Sequence, residues 1–280
     1  MKLAYGLIAA LICLASLQAV AQERLVERAP TKFVEKGKAI SLEVVIFKPY
    51  GSGPFPTVMF NHGSTGRGNN PSLFAKTWTS SSIFRFFNER GWMVAFPQRR
   101  GRGNSDGIYD EGFEWDRSKY SCDPYRSLAG LERAMQDLDE VVEYLKGRAD
   151  VDSKRMLIGG QSRGGILSIV YAGTRPNHFK GAINFVGGWM SDSCFDPGAI
   201  NTVAFKRGAG FQGPTLWLYG ENDSFYSIGH SRRNFNAFTA AGGKGSFYSY
   251  SLGLDNNGHD VITSPELWRE AVVSFVEQVQ

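Results

Sequence analysis

Gly160-Gln161-Ser162-Arg163-Gly164, preceded by Met156-Leu157-Ile158 and followed by Gly165-Ile166-Leu167-Ser168-Ile169-Val170, decides how this chain is read. The apolar run at 156–158 suits a strand buried on both faces of a parallel sheet. Ile166, Leu167, Ile169 and Val170 continue with helical spacing. Ser162 therefore sits between two glycines where a strand gives way to a helix, the pattern of a nucleophile elbow. A serine hydroxyl is a weak nucleophile until a base takes its proton, and such a sharp turn exposes it to both base and substrate. The turn strains the serine and brings strand and helix backbones close, so the positions two before and two after it must be small. Gly160 and Gly164 meet that demand. A plain glycine-rich turn would look the same, so the reading depends on finding partners for Ser162.

Strands and helices alternate on both sides of the elbow. Residues 39–49 alternate as an outer strand, with Leu42, Val44 and Ile46 on one face. Thr57-Val58-Met59-Phe60 runs into Asn61-His62-Gly63 as a central strand ending in a tight loop. A helix after Ser80-Ser81-Ser82 carries Ile83, Phe84, Phe86 and Phe87 and stops at Gly91; Trp92 to Phe96 form the next strand. Residues 128–147 carry the clearest helical stripe: Leu131, Met135, Leu138, Val142 and Leu145, ended by Gly147. Later strands at 182–186, 215–219 and 247–252 alternate with a helix running to about Ala241 and a last helix from Pro265 to Val279. The pattern implies an α/β fold, a mostly parallel sheet covered by helices on both faces. Two long segments, 101–127 and 189–211, show no periodicity, and unstructured stretches of that length in a compact domain usually serve function.

The chain opens with Lys2, an apolar run from Leu3 to Leu17, and Ala19-Val20-Ala21. Residues 1–21 resemble a secretory signal peptide cleaved before Gln22, against the alternative of a retained anchor, and place the protein in the periplasm or outside the cell. What remains, residues 22–280, is expected to be one catalytic domain. Cleavage removes Cys13 and leaves Cys122 and Cys194, an even pair for which a disulfide is the natural expectation in an oxidising compartment; two separate buried thiols are the alternative. The 31 Lys and Arg exceed the 27 Asp and Glu by four. They are dispersed, which argues against a nucleic-acid partner, and no later segment is apolar enough to span a bilayer. The densest basic cluster, Arg99-Arg100-Gly101-Arg102, reads as a turn after a strand, anchored by arginine hydrogen bonds.

Ser162 needs an imidazole within reach and a carboxylate to orient that imidazole. Of the four histidines, His62 ends an early strand, His178 follows the elbow helix and His230 falls inside a helix. His259, in Asn257-Gly258-His259-Asp260 after the last strand, is the one that gives the chain order nucleophile, acid, base. The acid should end a strand between Ser162 and His259. Asp223 does so after Leu216-Trp217-Leu218-Tyr219-Gly220, with Asp192 and Asp196 as competitors one strand earlier. Two backbone N–H groups complete the site by binding a developing oxyanion: Arg163, at the helix start, and Ser64, after His62-Gly63, with His62 itself structural.

His62-Gly63, the segment from Pro97 to Gly107, the elbow, Gly220-Glu221-Asn222-Asp223 and Gly258-His259 together resemble the α/β-hydrolase superfamily across nearly the whole chain after residue 21. Within it they look most like the dienelactone hydrolase-like and prolyl oligopeptidase-like branch. The resemblance implies a sheet of about eight strands and an enzyme that needs no metal or organic cofactor. Two departures narrow it. Dienelactone hydrolase uses a cysteine nucleophile where this chain has Ser162, so its substrate is not carried over. A prolyl oligopeptidase brings a propeller that these residues leave no room for.

In such a sheet the loops after the strands form the rim of the site, so 101–127 and 189–211 belong there and Cys122–Cys194 would tie them together. The rim would present Trp115, Tyr120, Trp189, Phe225 and Tyr226 to a substrate, with Trp78 nearby; the same aromatics would equally fill a core. Arg102 and Arg117 would meet a substrate carboxylate or, more simply, pair internally with Asp106, Glu111 or Asp116. The expected activity is hydrolysis of a small carboxylic ester. A small peptidase or amidase, an acyltransferase and a non-catalytic binding protein are the alternatives.

Overall fold

The computed structural model describes residues 23–66, 70–175 and 178–279; the segment read as a signal peptide lies outside the described residues. Its strands are β1 (Glu23–Glu35), β2 (Lys38–Lys48), β3 (Phe55–Asn61), β4 (Met93–Pro97), β5 (Val151–Gln161), β6 (Gly181–Phe185), β7 (Thr215–Gly220) and β8 (Gly245–Tyr250). The helices are α1 (Pro71–Phe74), α2 (Ser81–Asn88), α3 (Pro124–Lys146), α4 (Arg163–Thr174), α5 (Gly198–Gly208), α6 (Ile228–Ala240) and α7 (Pro265–Val279), with a 3₁₀ turn at Gly258–Thr263 before the last.

One sheet runs in the order β1-β2-β4-β3-β5-β6-β7-β8. The β1–β2 and β2–β4 pairs are antiparallel and the rest are parallel. Every residue of β4, β6 and β7 is buried, as their largely apolar runs require of strands covered on both sides. On one face α7 and α2 share an aromatic core in which Trp268 lies 5.3 Å from both Phe86 and Phe185. The opposite face carries α3 to α6, with Trp217 packed between Phe205 at 4.6 Å and Phe238 at 5.1 Å. Helix starts are fixed by side chains: Ser80 accepts from the Ile83 N–H, Asp123 from that of Arg126 with Pro124 in the first turn, and Ser227 from that of His230. Among the described residues no helix is long and apolar enough to cross a membrane.

The structure corrects the sequence reading in three places. β1 was not anticipated, because an edge strand dense in charge and half exposed along its length has no apolar alternation to betray it. β2 is buried on both faces instead of one, since α2 packs on one side of it and α3 on the other. The irregular segments are also shorter: α3 begins at Pro124, and 189–211 contains α5, whose first turn is held by the Asp196 carboxylate accepting from the Ala199 N–H at 3.1 Å.

Candidate active site

Ser162 links β5 to α4 with φ 57° and ψ −124°, a left-handed conformation imposed by the turn. A Cβ at Gly160 would lie 2.3 Å from the Gly164 carbonyl oxygen, and one at Gly164 would lie 2.2 Å from that of Asn61. Neither position accepts a side chain without separating helix from strand. Ser162 is 7 % exposed, and its hydroxyl lines a cavity of about 670 Å³.

Asp223 follows the end of β7, and its side chain is buried. One carboxylate oxygen accepts the N–H groups of Phe225 (2.7 Å) and Tyr226 (3.1 Å), which fixes its orientation, and the other meets His259 Nδ1 at 2.9 Å. The 3₁₀ turn that carries His259 is capped by Asn257, and Gln161, beside Ser162, donates to the His259 carbonyl at 3.2 Å. With Nδ1 engaged by Asp223, His259 keeps Nε2 as an acceptor in the cavity it shares with Ser162. The competing acids are occupied elsewhere. Asp192 accepts the Ser227 N–H and lies 3.5 Å from His230, and Asp196 holds α5.

The loop after β3 is gripped by arginines from behind. The His62 carbonyl accepts from Arg99 at 3.0 Å; the Gly63 carbonyl accepts from His62 Nδ1 at 2.7 Å and from Arg102 at 3.3 Å. Across a trans peptide the N–H points opposite to the carbonyl, so anchoring the Gly63 oxygen inward turns the Ser64 N–H outward, on the side where Ser64 and Gly63 line the cavity. Arg163 opens α4, so its N–H has no acceptor within the helix and sits at the positive end of the helix dipole.

His62 is fully buried, and its Nε2 accepts from the Arg99 backbone N–H at 3.2 Å. Burial, aided by the charges of Arg99 and Arg102, pushes its pKa well below the ordinary 6.5. The unfolded chain therefore binds a proton below pH 6.5 that the folded chain refuses, and stability falls as the pH drops. The expected slope from this group is about 1.4 kcal/mol per pH unit below that point, read from denaturant midpoints. His62→Gln should flatten it.

Glu111 is the buried counter-charge of this region. It meets Arg99 Nε at 2.5 Å and Arg163 at 3.5 Å, and accepts from the Tyr109 hydroxyl at 2.9 Å. Burial alone would raise its pKa, but the charges of Arg99 and Arg163 hold it below the ordinary carboxylate range. The Arg163 guanidinium lies 3.6 Å over the Tyr120 ring, 4.5 Å over Trp189, and donates to the Trp189 carbonyl at 2.8 Å. This structural role of Arg163 was not foreseen, since buried ion pairing leaves no mark in local spacing.

Of the aromatic residues expected at the mouth, Tyr120, Trp189, Phe225 and Tyr226 line the cavity, as does Trp78. Trp115 does not. It is 90 % exposed and stacks under Arg126 at 3.7 Å. Arg102 is buried against Gly63, where its charge acts on Glu111, one of the partners expected, and Arg117 pairs with Asp110 at 3.1 Å, which was not expected; neither lines the cavity. Ser118, Lys119, Met190, Ser191, Ser193 and Ser224 line it without having been anticipated.

Cys122 and Cys194 form a disulfide across 72 residues, joining the segment before α3 to the one before α5 at the cavity wall. Replacing both by serine is expected to lower stability by about 2–4 kcal/mol, chiefly by freeing the unfolded chain, and a guanidinium titration with and without reductant measures it.

The sequence pattern of the prolyl oligopeptidase family matches residues 78–190, which span the Arg99–Arg102 turn and the elbow. Poly(3-hydroxyalkanoate) depolymerase C of Paucimonas lemoignei is 24 % identical, over 66 % of this chain and 48 % of its own length; this chain thus spans about half of that relative. A Klebsiella pneumoniae protein described as a dienelactone hydrolase superposes with a TM-score of 0.58 at 18 % identity, covering 91 % of this chain and 98 % of its own. Acetyl xylan esterase of Paenibacillus sp. R4 superposes with a TM-score of 0.60 at 14 % identity, covering 93 % and 89 %. The chain has the α/β-hydrolase fold, and its residues 78–190 are similar to the prolyl oligopeptidase family.

Proposed function

We propose that this protein is a secreted serine hydrolase that cleaves carboxylic esters through an acyl-enzyme at Ser162. The observation that carries the reading is the Asp223–His259 contact at 2.9 Å behind a cavity that His259 and Ser162 both line, the three residues following one another in the order nucleophile, acid, base. Ser162 Oγ attacks the acyl carbon while His259 Nε2 takes its proton, and Asp223 holds the resulting imidazolium. The Ser64 and Arg163 amides receive the oxyanion, the term that commonly contributes most in acyl transfer. Collapse breaks the ester bond, and His259 returns the proton to the departing alcohol. Water then repeats the steps on the acyl-enzyme and frees the acid. Export is supported by the Cys122–Cys194 disulfide and by the apolar stretch ahead of Gln22.

The match to a peptidase family favours amide hydrolysis as the second reading. An exopeptidase that takes a free amino terminus needs a carboxylate to receive it, and among the described residues no Asp or Glu lines the cavity. Turnover of a para-nitrophenyl butyrate should accordingly exceed that of aminoacyl para-nitroanilides by about 100-fold or more in kcat/KM. The opposite order would assign the site to peptides. An alcohol acceptor added to the ester assay distinguishes transfer from hydrolysis by the ester it forms.

A further inference from the structure

The cavity has a charge pattern that the proposed triad chemistry does not use. Among its described lining residues the formally charged side chains are Arg163 and Lys119. Arg163 is buried and paired with Glu111. Lys119 is exposed, and no carboxylate lies within ion-pair distance of it among the described residues. Its charge acts on Asp116, a fully exposed carboxylate already engaged by the N–H and hydroxyl of Ser118.

Lys119 is held over the cavity by a rigid hairpin. Phe113 pairs with Tyr120, the Glu114 N–H donates to the Lys119 carbonyl at 2.9 Å, and the Arg117 N–H donates to the Glu114 carbonyl at 2.8 Å. Arg117 is locked to Asp110, and the disulfide at Cys122 fixes the hairpin base. Neighbouring cations are thus consumed by partners while Lys119 is left to the cavity. The same cavity is lined by the hydroxyl-bearing Ser118, Ser191 and Ser193, which suit an oxyanion and neutralise nothing.

Direction follows from the proton. The departing alcohol must end beside His259 to be protonated, where Phe225, 4.6 Å from the imidazole, and Ser224 line the cavity. Lys119 enters from the hairpin whose Tyr120 covers Arg163. The acyl part then takes the rest of the cavity, whose lining includes Lys119.

We propose that Lys119 is a specificity-determining residue that binds a free carboxylate on the acyl group, so that the preferred substrates are half-esters of short dicarboxylic acids. The inference rests on the esterase reading of Ser162. Para-nitrophenyl hemisuccinate and para-nitrophenyl butyrate have acyl chains of similar length and differ in charge, so the ratio of their kcat/KM values isolates the recognition of the carboxylate. That ratio is expected to fall about fivefold in Lys119→Gln, as befits a solvent-exposed charge pair, and further in Lys119→Glu. In the wild-type protein it should also fall when ionic strength rises from about 0.01 to about 0.5 M, through screening. A ratio within twofold of wild type in both variants overturns the assignment while leaving the esterase reading in place. Absence of turnover of both esters by the wild-type protein overturns the esterase reading and the inference with it.

Discussion

Ser162→Ala is expected to lower kcat/KM for ester hydrolysis by about 10⁴-fold or more, with the fold intact. The size follows from the division of labour in the site. Without Oγ there is no acyl-enzyme, and what survives is the rate that the Ser64 and Arg163 amides give to direct attack by water. The fold should hold because the strain at Ser162, φ 57°, belongs to the backbone and is the same for alanine, and because the close approach beside it depends on Gly160 and Gly164. An unfolding midpoint near that of wild type, together with lost activity, is the expected pair of readings; retention of more than a few per cent of activity would move the nucleophile elsewhere.

Glu111→Gln is expected to have the largest effect on stability among single changes near the site, a loss of about 3–5 kcal/mol. The substitution keeps the shape but leaves Arg99 and Arg163, both buried, with no opposing charge within ion-pair distance where Glu111 stood. Activity should fall as well, with kcat affected more than KM. Arg99 donates to the His62 carbonyl at 3.0 Å, and a looser Arg99 relaxes the loop that aims the Ser64 N–H. Denaturant midpoints and steady-state kinetics on one preparation separate the two effects. A loss below about 1 kcal/mol would mean that the arginines find other partners.

The elbow was legible in the sequence because contact between two backbones dictates glycine at fixed spacing, as the 2.2 and 2.3 Å approaches of a Cβ at Gly164 and Gly160 make plain. The pairing of His259 with Asp223 was legible because chain order restricts the choice when only four histidines exist. The aromatic rim was legible only in part: Trp115 and Trp189 are alike in type, yet the first is 90 % exposed and the second 1 %. Side-chain direction in an irregular segment is set by tertiary contacts that no local period encodes. The same holds for Lys119, placed by a hairpin closed between Phe113 and Tyr120, and for α5, whose start depends on Asp196. β1 escaped for a simpler reason, since a charged edge strand reads like a surface loop until it is paired with β2.

Labelling with a fluorophosphonate tests the central claim most directly, because the reagent reacts with a serine only where a base activates it and donors receive its oxyanion. One adduct per chain is expected, on the peptide containing Ser162. It should be absent in Ser162→Ala and strongly slowed in His259→Ala. A folded protein that stays unlabelled, or that carries the adduct on another residue, would contradict the assignment of Ser162, His259 and Asp223 as the catalytic triad.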